Sequence, residues 1–306
     1  MTRLASPSAA ARTTRNCRLA SPSAVARTTE NCRLATTAGV ALGAAVLALY
    51  LPVLRDLVAV WLHVPYYSYG FLVPLFSAYL AWDVRRAGDG APPRPEPAGF
   101  LITAAGLAAL ALGVAAGSLT LRALSLPVVL LGLVLATLGA GYARRLTFPI
   151  GFLVFMAPLP DGTLPAVSLP LQQLAAFVAE HALGALGASV VRHDLYLRLP
   201  SVTLHVTEAC NGLRFLLAML VVGTAFAGTT QRRPLPRAGI VLAALTLAIL
   251  ANLARVTGTG VMAELWGARA ALGLPHIVWG KVVYAAALVP FAGLVLIMRR
   301  RCPRRS

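Results

Sequence analysis

Charge is scarce in this chain. Asp, Glu, Lys and Arg together make up 12% of its 306 residues, where soluble domains carry about 25%. Acidic residues number only ten, and Lys281 is the single lysine among 27 basic residues. Cysteine is limited to Cys17, Cys32, Cys210 and Cys302, with no CxxC pair, so neither a zinc site nor a disulfide framework is indicated. No HExxH stretch occurs, which argues against a zincin-type metalloprotease. No metal and no cofactor is therefore expected. What fills the chain instead is apolar: 58% hydrophobic residues and a mean hydropathy of +0.76. Runs of about 20 apolar residues span a bilayer as helices, the form that satisfies every backbone polar group within the segment. The expected fold class is an all-α polytopic membrane protein.

A net charge of +17 raises the possibility of a nucleic-acid partner. The basic residues lie in the termini and in short loops between apolar runs, so the bilayer is the expected partner and nucleic acid is not. The first 35 residues are a tandem repeat: RLASPSAAARTTRNC from Arg3, RLASPSAVARTTENC from Arg18, and a third copy that dissolves into the first apolar run. The period of 15 is shorter than most solenoid units, and the Ser/Thr/Arg-rich composition suits a disordered basic extension. It lacks the apolar core of a signal peptide. Three parts follow: a disordered repeat over 1–35, a transmembrane body over 36–298 and a basic cytoplasmic tail over 299–306.

The apolar runs cover roughly 36–54, 66–82, 99–117, 121–142, 146–158, 164–188, 212–228, 238–256 and 276–298. Placing the basic N-terminus, the Arg85–Arg94 loop, Arg144-Arg145, Arg232–Arg237 and the tail on the cytoplasmic side makes eight of these runs spans. The run 164–188 then starts and ends outside. It reads as an interfacial or re-entrant helix, and Gln172, Gln173, Glu180 and His181 suit a partly wet position. Residues 189–207 alternate apolar and polar around Pro200 and predict a small extracytoplasmic β-hairpin.

This topology carries Cys210, Arg255 and His276 to one membrane face. Cys210 sits where the strand-like segment meets an apolar run. A helix N-terminus and Arg214, one turn on, would favour its thiolate. Arg255, at the end of its run, is a permanent cation suited to a thiolate or an oxyanion. His276 opens the last run and suits proton transfer. Each has a plainer reading: an inert buried cysteine, an arginine snorkelling to the interface, an interfacial histidine. Around them, Glu208 is placed to orient Arg255 or Arg214, Asn252 lies one turn before Arg255, and Gly212 allows close backbone approach. Gly280 does the same for helix contact. His205 reads as structural.

Five segments in order resemble the exosortase/archaeosortase family: YYSYGFLVPLFSAYLAWDVRR (66–86), FPIGFLVFMAPLP (148–160), Leu171-Gln172 with the region to Leu199, EACNGLR (208–214), and NLAR (252–255) followed by His276-x-x-x-Gly280. Tyr69 stands where the family usually has histidine, and Asn211 where serine is common. The resemblance implies a membrane cysteine peptidase or transpeptidase with Cys210, Arg255 and His276 as its catalytic residues, supported by Arg214, Asn252, Glu208 and Gly212. It implies a site on the outer face of the cytoplasmic membrane. The implied partners are membrane-anchored substrates ending in a short motif (often Pro-Glu-Pro), one transmembrane helix and a basic tail. Attack by the cysteine would give a thioester, resolved by a second nucleophile. The competing class is a non-enzymatic membrane protein, either a transporter or an assembly partner for exopolysaccharide export. A transporter predicts internal hydropathy repeats and charged residues at the midplane, and neither is clear in this sequence.

Overall fold

The computed structural model describes residues 22–86, 94–200, 202–207 and 211–301. The chain divides into a unit of residues 1–52 and a larger one of residues 53–306. The apolar clusters and the cleft lie within the second.

Ten helices and one small sheet account for the described residues. Helix α1 (Pro22–His63) leads into a 3-10 turn (Pro65–Phe71) and α2 (Leu72–Arg86). Helices α3 (Ala98–Ala115), α4 (Leu119–Leu138) and α5 (Ala140–Phe152) follow, then a 3-10 turn (Leu153–Met156) and α6 (Thr163–Ala185). Strands β1 (Val191–His193), β2 (Tyr196–Arg198) and β3 (Thr203–His205) come next. Helices α7 (Leu213–Thr230), α8 (Pro234–Trp266), α9 (Ala268–Leu272) and α10 (Leu274–Arg301) end the described chain. Among the described residues, six helices are long and apolar enough to cross a membrane: α1 over Ala41–His63, α3, α4, α7, α8, and α10 over Leu274–Arg300. The chain is an all-α polytopic membrane protein. Helices α2 and α5, of 15 and 13 residues, account for the other two of the eight runs and are short for a span. Helix α6 is not among the six, in keeping with the non-spanning part that topology gives the run 164–188.

Three details differ from the sequence reading. First, α1 starts at Pro22, inside the second repeat copy, where disorder to residue 35 is expected. Elongating an existing long helix needs no new nucleus, so polar residues join it at little cost. Repeat residues 1–21 lie outside the described residues. Second, the hairpin is a three-stranded antiparallel meander in the order β1-β2-β3. An additional turn falls at Asp194, whose φ of +56° is a left-handed conformation that Asp tolerates better than most residues. The turn near Pro200 is closed by Leu199 N donating to Val202 O at 2.9 Å. Third, α8 does not stop near 256 but runs on to Trp266, so Arg255 sits inside a helix rather than at its end.

Alternation sets the sheet's buried face. Leu197, Leu199, Leu204 and Val206 are buried against Ala175, Ala176, Ala179 and Leu183 of α6 and Val256 and Ala263 of α8. A charged clamp fixes the outer edge: Glu180 Oε1 accepts from Arg192 N at 3.1 Å and its Oε2 from Arg192 Nε at 3.0 Å. The hydrogen bond from Arg192 holds the Glu180 carboxyl below its usual pKa. A second apolar cluster joins Met219 of α7, Ile240, Ala244 and Ala248 of α8, and Phe291 and Val295 of α10. The sheet thus braces the α6–α8 contact, and α7, α8 and α10 pack together below the segment that leads into α7. Elsewhere Leu72, Leu75, Tyr79, Trp82, Phe100 and Leu101 are exposed, the outward apolar surface expected of helices solvated by lipid.

Candidate active site

A cleft of about 830 Å³ opens between the 3-10 turn at Pro65–Tyr66, the start of α7, the middle of α8 and the first three turns of α10. Its lining includes Asn211, Gly212 and Arg214 from the first of the three predicted segments, Arg255 from the second and His276 from the third. Cys210 and Glu208 lie outside the described residues; the chain on their C-terminal side is placed by Asn211.

The α7 wall is shaped by two residues. Gly212 has φ +72°, a left-handed conformation that glycine adopts without steric penalty. It also abuts the side chain of Asn252, so any Cβ there would collide with it. Asn211 is buried and makes three kinds of bond. Its Oδ1 accepts from Leu213 N at 2.8 Å, satisfying a first-turn donor of α7. Its Nδ2 donates to Ser168 Oγ at 2.6 Å and to Tyr66 Oη at 3.4 Å. Gln172 Nε2 also donates to Ser168 Oγ, at 2.7 Å. The segment entering α7 is therefore tied to both α6 and the 3-10 turn. Arg214 is exposed and donates to Ser68 Oγ at 3.3 Å.

The facing wall is a connected hydrogen-bond chain between α8 and α10. Arg255 Nη2 and His276 Nε2 are 3.4 Å apart. Arg255 Nη1 donates to Tyr284 Oη at 3.3 Å, and Tyr284 Oη donates to Asn252 Oδ1 at 3.3 Å. The Tyr284 ring stacks on Phe215 of α7 with centroids 4.2 Å apart. His276 Nδ1 lies 3.1 Å from Thr259 Oγ1, which donates to Arg255 O at 2.9 Å. That carbonyl also accepts from Trp279 Nε1 at 3.0 Å. Two glycines make room: a Cβ on Gly280 would lie 3.0 Å from Arg255 Nε, and one on Gly258 would overlap the Trp279 ring.

Of the seven residues expected at the site, five are described and converge here: Arg255, His276, Arg214, Asn252 and Gly212. Asn252 is buried and holds the tyrosine that receives the arginine. Thr259, Tyr284 and Trp279 are not in the sequence reading. Helical spacing could have found two of them, because Thr259 is one turn beyond Arg255 and Tyr284 follows His276 and Gly280 at intervals of four. The overrun of α8 hides this, since a run ending near 256 leaves Thr259 in a loop. Among the described residues no cluster of His, Cys, Asp or Glu could hold a metal ion.

A cationic cleft containing Arg214, Arg255, His276 and Lys281, with no carboxylate in its lining among the described residues, suits anionic groups and developing negative charge. No curated protein and no solved structure matches the chain. The family model for transmembrane exosortases matches residues 61–293, which span the whole cleft from Pro65 to Tyr284; the chain belongs to the transmembrane exosortase family.

Proposed function

We propose that this protein is a membrane-embedded cysteine peptidase or transpeptidase that cleaves C-terminal sorting signals of exported surface proteins at the outer face of the cytoplasmic membrane. One observation carries the reading. Arg255 and His276, 21 residues apart, meet at 3.4 Å in a cleft whose opposite wall is Asn211-Gly212, the residues that directly follow Cys210 in sequence.

The chemistry assigned to these groups is acyl transfer. His276 Nε2 takes the Cys210 thiol proton, and the Sγ thiolate attacks the scissile carbonyl. Arg255, which cannot deprotonate, stabilises the thiolate and then the tetrahedral oxyanion. Collapse breaks the C–N bond, His276 returns the proton to the leaving amine, and a thioester remains on Cys210. Water or an acceptor nucleophile, deprotonated by His276, then releases the product and regenerates the thiol. A substrate with one transmembrane helix and a basic cytoplasmic tail would present its motif at the level of the cleft.

The test is co-expression with a protein from the same genome that carries a C-terminal motif, helix and arginine-rich tail, followed by size on a blot. Wild type should cleave it, whereas Cys210→Ala, Arg255→Ala and His276→Ala should leave it full length at equal membrane abundance. Cleavage by Cys210→Ala would overturn the cysteine mechanism.

A further inference from the structure

We propose that Thr259 is the positioning residue for His276: its hydroxyl accepts from Nδ1–H and thereby keeps the Nε2 lone pair as the site's proton acceptor. The argument is one of donors and acceptors. The guanidinium of Arg255 has only N–H donors, and its Nη2 faces His276 Nε2 at 3.4 Å. A hydrogen on Nε2 would point at another donor, so the neutral ring carries its proton on Nδ1 instead. Nδ1 lies 3.1 Å from Thr259 Oγ1, which must then act as acceptor. A hydroxyl has one proton to give, and Thr259 gives it to Arg255 O, 2.9 Å away on the preceding turn. Each contact thus has one consistent direction: Arg255 Nη2–H to Nε2, Nδ1–H to Thr259 Oγ1, and Thr259 O–H to Arg255 O.

In cysteine and serine hydrolases the second ring nitrogen is held by a carboxylate or an amide, which sets the tautomer and the ring plane. Here a threonine has that place, and it is anchored on the same helix as the arginine. Thr259 and Arg255 are four residues apart on α8, so any shift of this helix moves the two partners of His276 together. On the proposed acyl-transfer reading, the Arg255 Nη2–H contact gives way to the thiol, Nε2 takes the proton from Sγ, and the Nδ1 proton stays bonded to Thr259. The hydroxyl neither gains nor loses a proton during the cycle.

The tautomer is measurable without a substrate. The chain has five histidines, and ¹⁵N-imidazole labelling of the full-length protein in nanodiscs, with His276→Gln to assign the signals, reads each ring separately. At alkaline pH, where the rings are neutral, wild-type His276 should show a protonated Nδ1 and a lone-pair Nε2. Thr259→Val, close in shape but without the hydroxyl, should lose that preference, and Thr259→Ser should restore it. A wild-type ring protonated at Nε2, or a Thr259→Val spectrum unchanged at His276, would overturn the proposal, and the wild-type spectrum decides the first point even if the valine variant fails to fold. With a cleaved substrate in hand, Thr259→Val should lower kcat about ten-fold at constant KM, the loss expected for one net hydrogen bond, with recovery in Thr259→Ser. Because the spectrum involves neither Cys210 nor cleavage, failure of the peptidase reading and failure of the Thr259 assignment give separate results.

Discussion

The α3–α4 pair and the α8–α10 pair use glycine for opposite ends. Along α3, Gly99, Gly106 and Gly113 recur every seven residues and meet, on α4, Ala136, Val129 and the Arg122 backbone. A Cβ on Gly106 would lie 2.6 Å from Val129 Cγ2. Small residues there bring two helices into van der Waals contact, the usual source of helix association where lipid competes equally for apolar surface. On α8 and α10, Gly258 and Gly280 face not a backbone but Trp279 and the Arg255 side chain. The space they leave admits polar groups between helices. Burying a guanidinium in an apolar bundle is costly unless it is well bonded, and the chain through Tyr284, Asn252 and His276 supplies those bonds. In the first pair glycine lets two helices approach closely, and in the second it leaves room for the Trp279 ring and the Arg255 side chain beside the cleft.

The sharpest way to break this distinction is Gly280→Val. The added carbons would displace the Arg255 guanidinium, and a misplacement near 1 Å costs on the order of 10²-fold in rate. Membrane abundance should hold while cleavage of the co-expressed substrate collapses; unchanged cleavage would show that Arg255 tolerates displacement and that Gly280 is only a packing residue. Gly106→Leu should do the reverse. Overpacking costs about 1–3 kcal/mol, so thermal unfolding in detergent should shift downward while the cleavage rate per folded molecule stays at the wild-type level. A smaller effect is expected for Tyr284→Phe. The ring keeps its stack on Phe215, but Arg255 Nη1 loses an acceptor and Asn252 Oδ1 a donor, so kcat should fall about five- to ten-fold with little change in stability. An equally large fall in Phe215→Leu would instead assign the effect to the stack.

The least of these effects lies at the sheet clamp. The folded pKa of Glu180 is lowered by Arg192, so the pair's stabilisation is present above the unfolded carboxyl value of about 4.3. It is lost as pH falls through the lower folded value. Glu180→Gln should therefore reduce the difference in unfolding temperature between pH 7 and acid. Because the carboxylate is partly exposed, the change should be small and weaker at high salt. An identical pH dependence in wild type and variant would remove the clamp from the account.

Much of the architecture was legible because it follows from local composition. Apolar runs between arginine-bearing loops gave the helices and marked 164–188 as different in kind, and alternation in 189–207 gave strands. The order of Asn252, Arg255 and His276 along two runs gave the polar wall of the cleft in outline. Element ends were less legible. Hydropathy drops at Thr257-Gly258-Thr259-Gly260, and a helix end there looks reasonable, yet the backbone continues because no proline interrupts it and both glycines are filled by neighbours, Trp279 and Leu183. Disorder to residue 35 likewise missed a helix that extends back to Pro22.

The sequence by itself determined that this chain lives in a bilayer and that its polar residues gather in a few places along the apolar runs, because these depend on residue type and on charge along the chain. Tertiary structure alone decided which side chains touch. That Thr259 meets His276, that Tyr284 bridges Arg255 and Asn252, and that Asn211 ties the start of α7 to Ser168 depend on how α6, α8 and α10 are rotated about their axes. Close contacts that fit those faces together include Gly260 against Leu183 between α8 and α6, and Gly258 against Trp279 and Gly280 against Arg255 between α8 and α10. Such pairwise close contacts join residues far apart in sequence, and no local pattern in the chain encodes them.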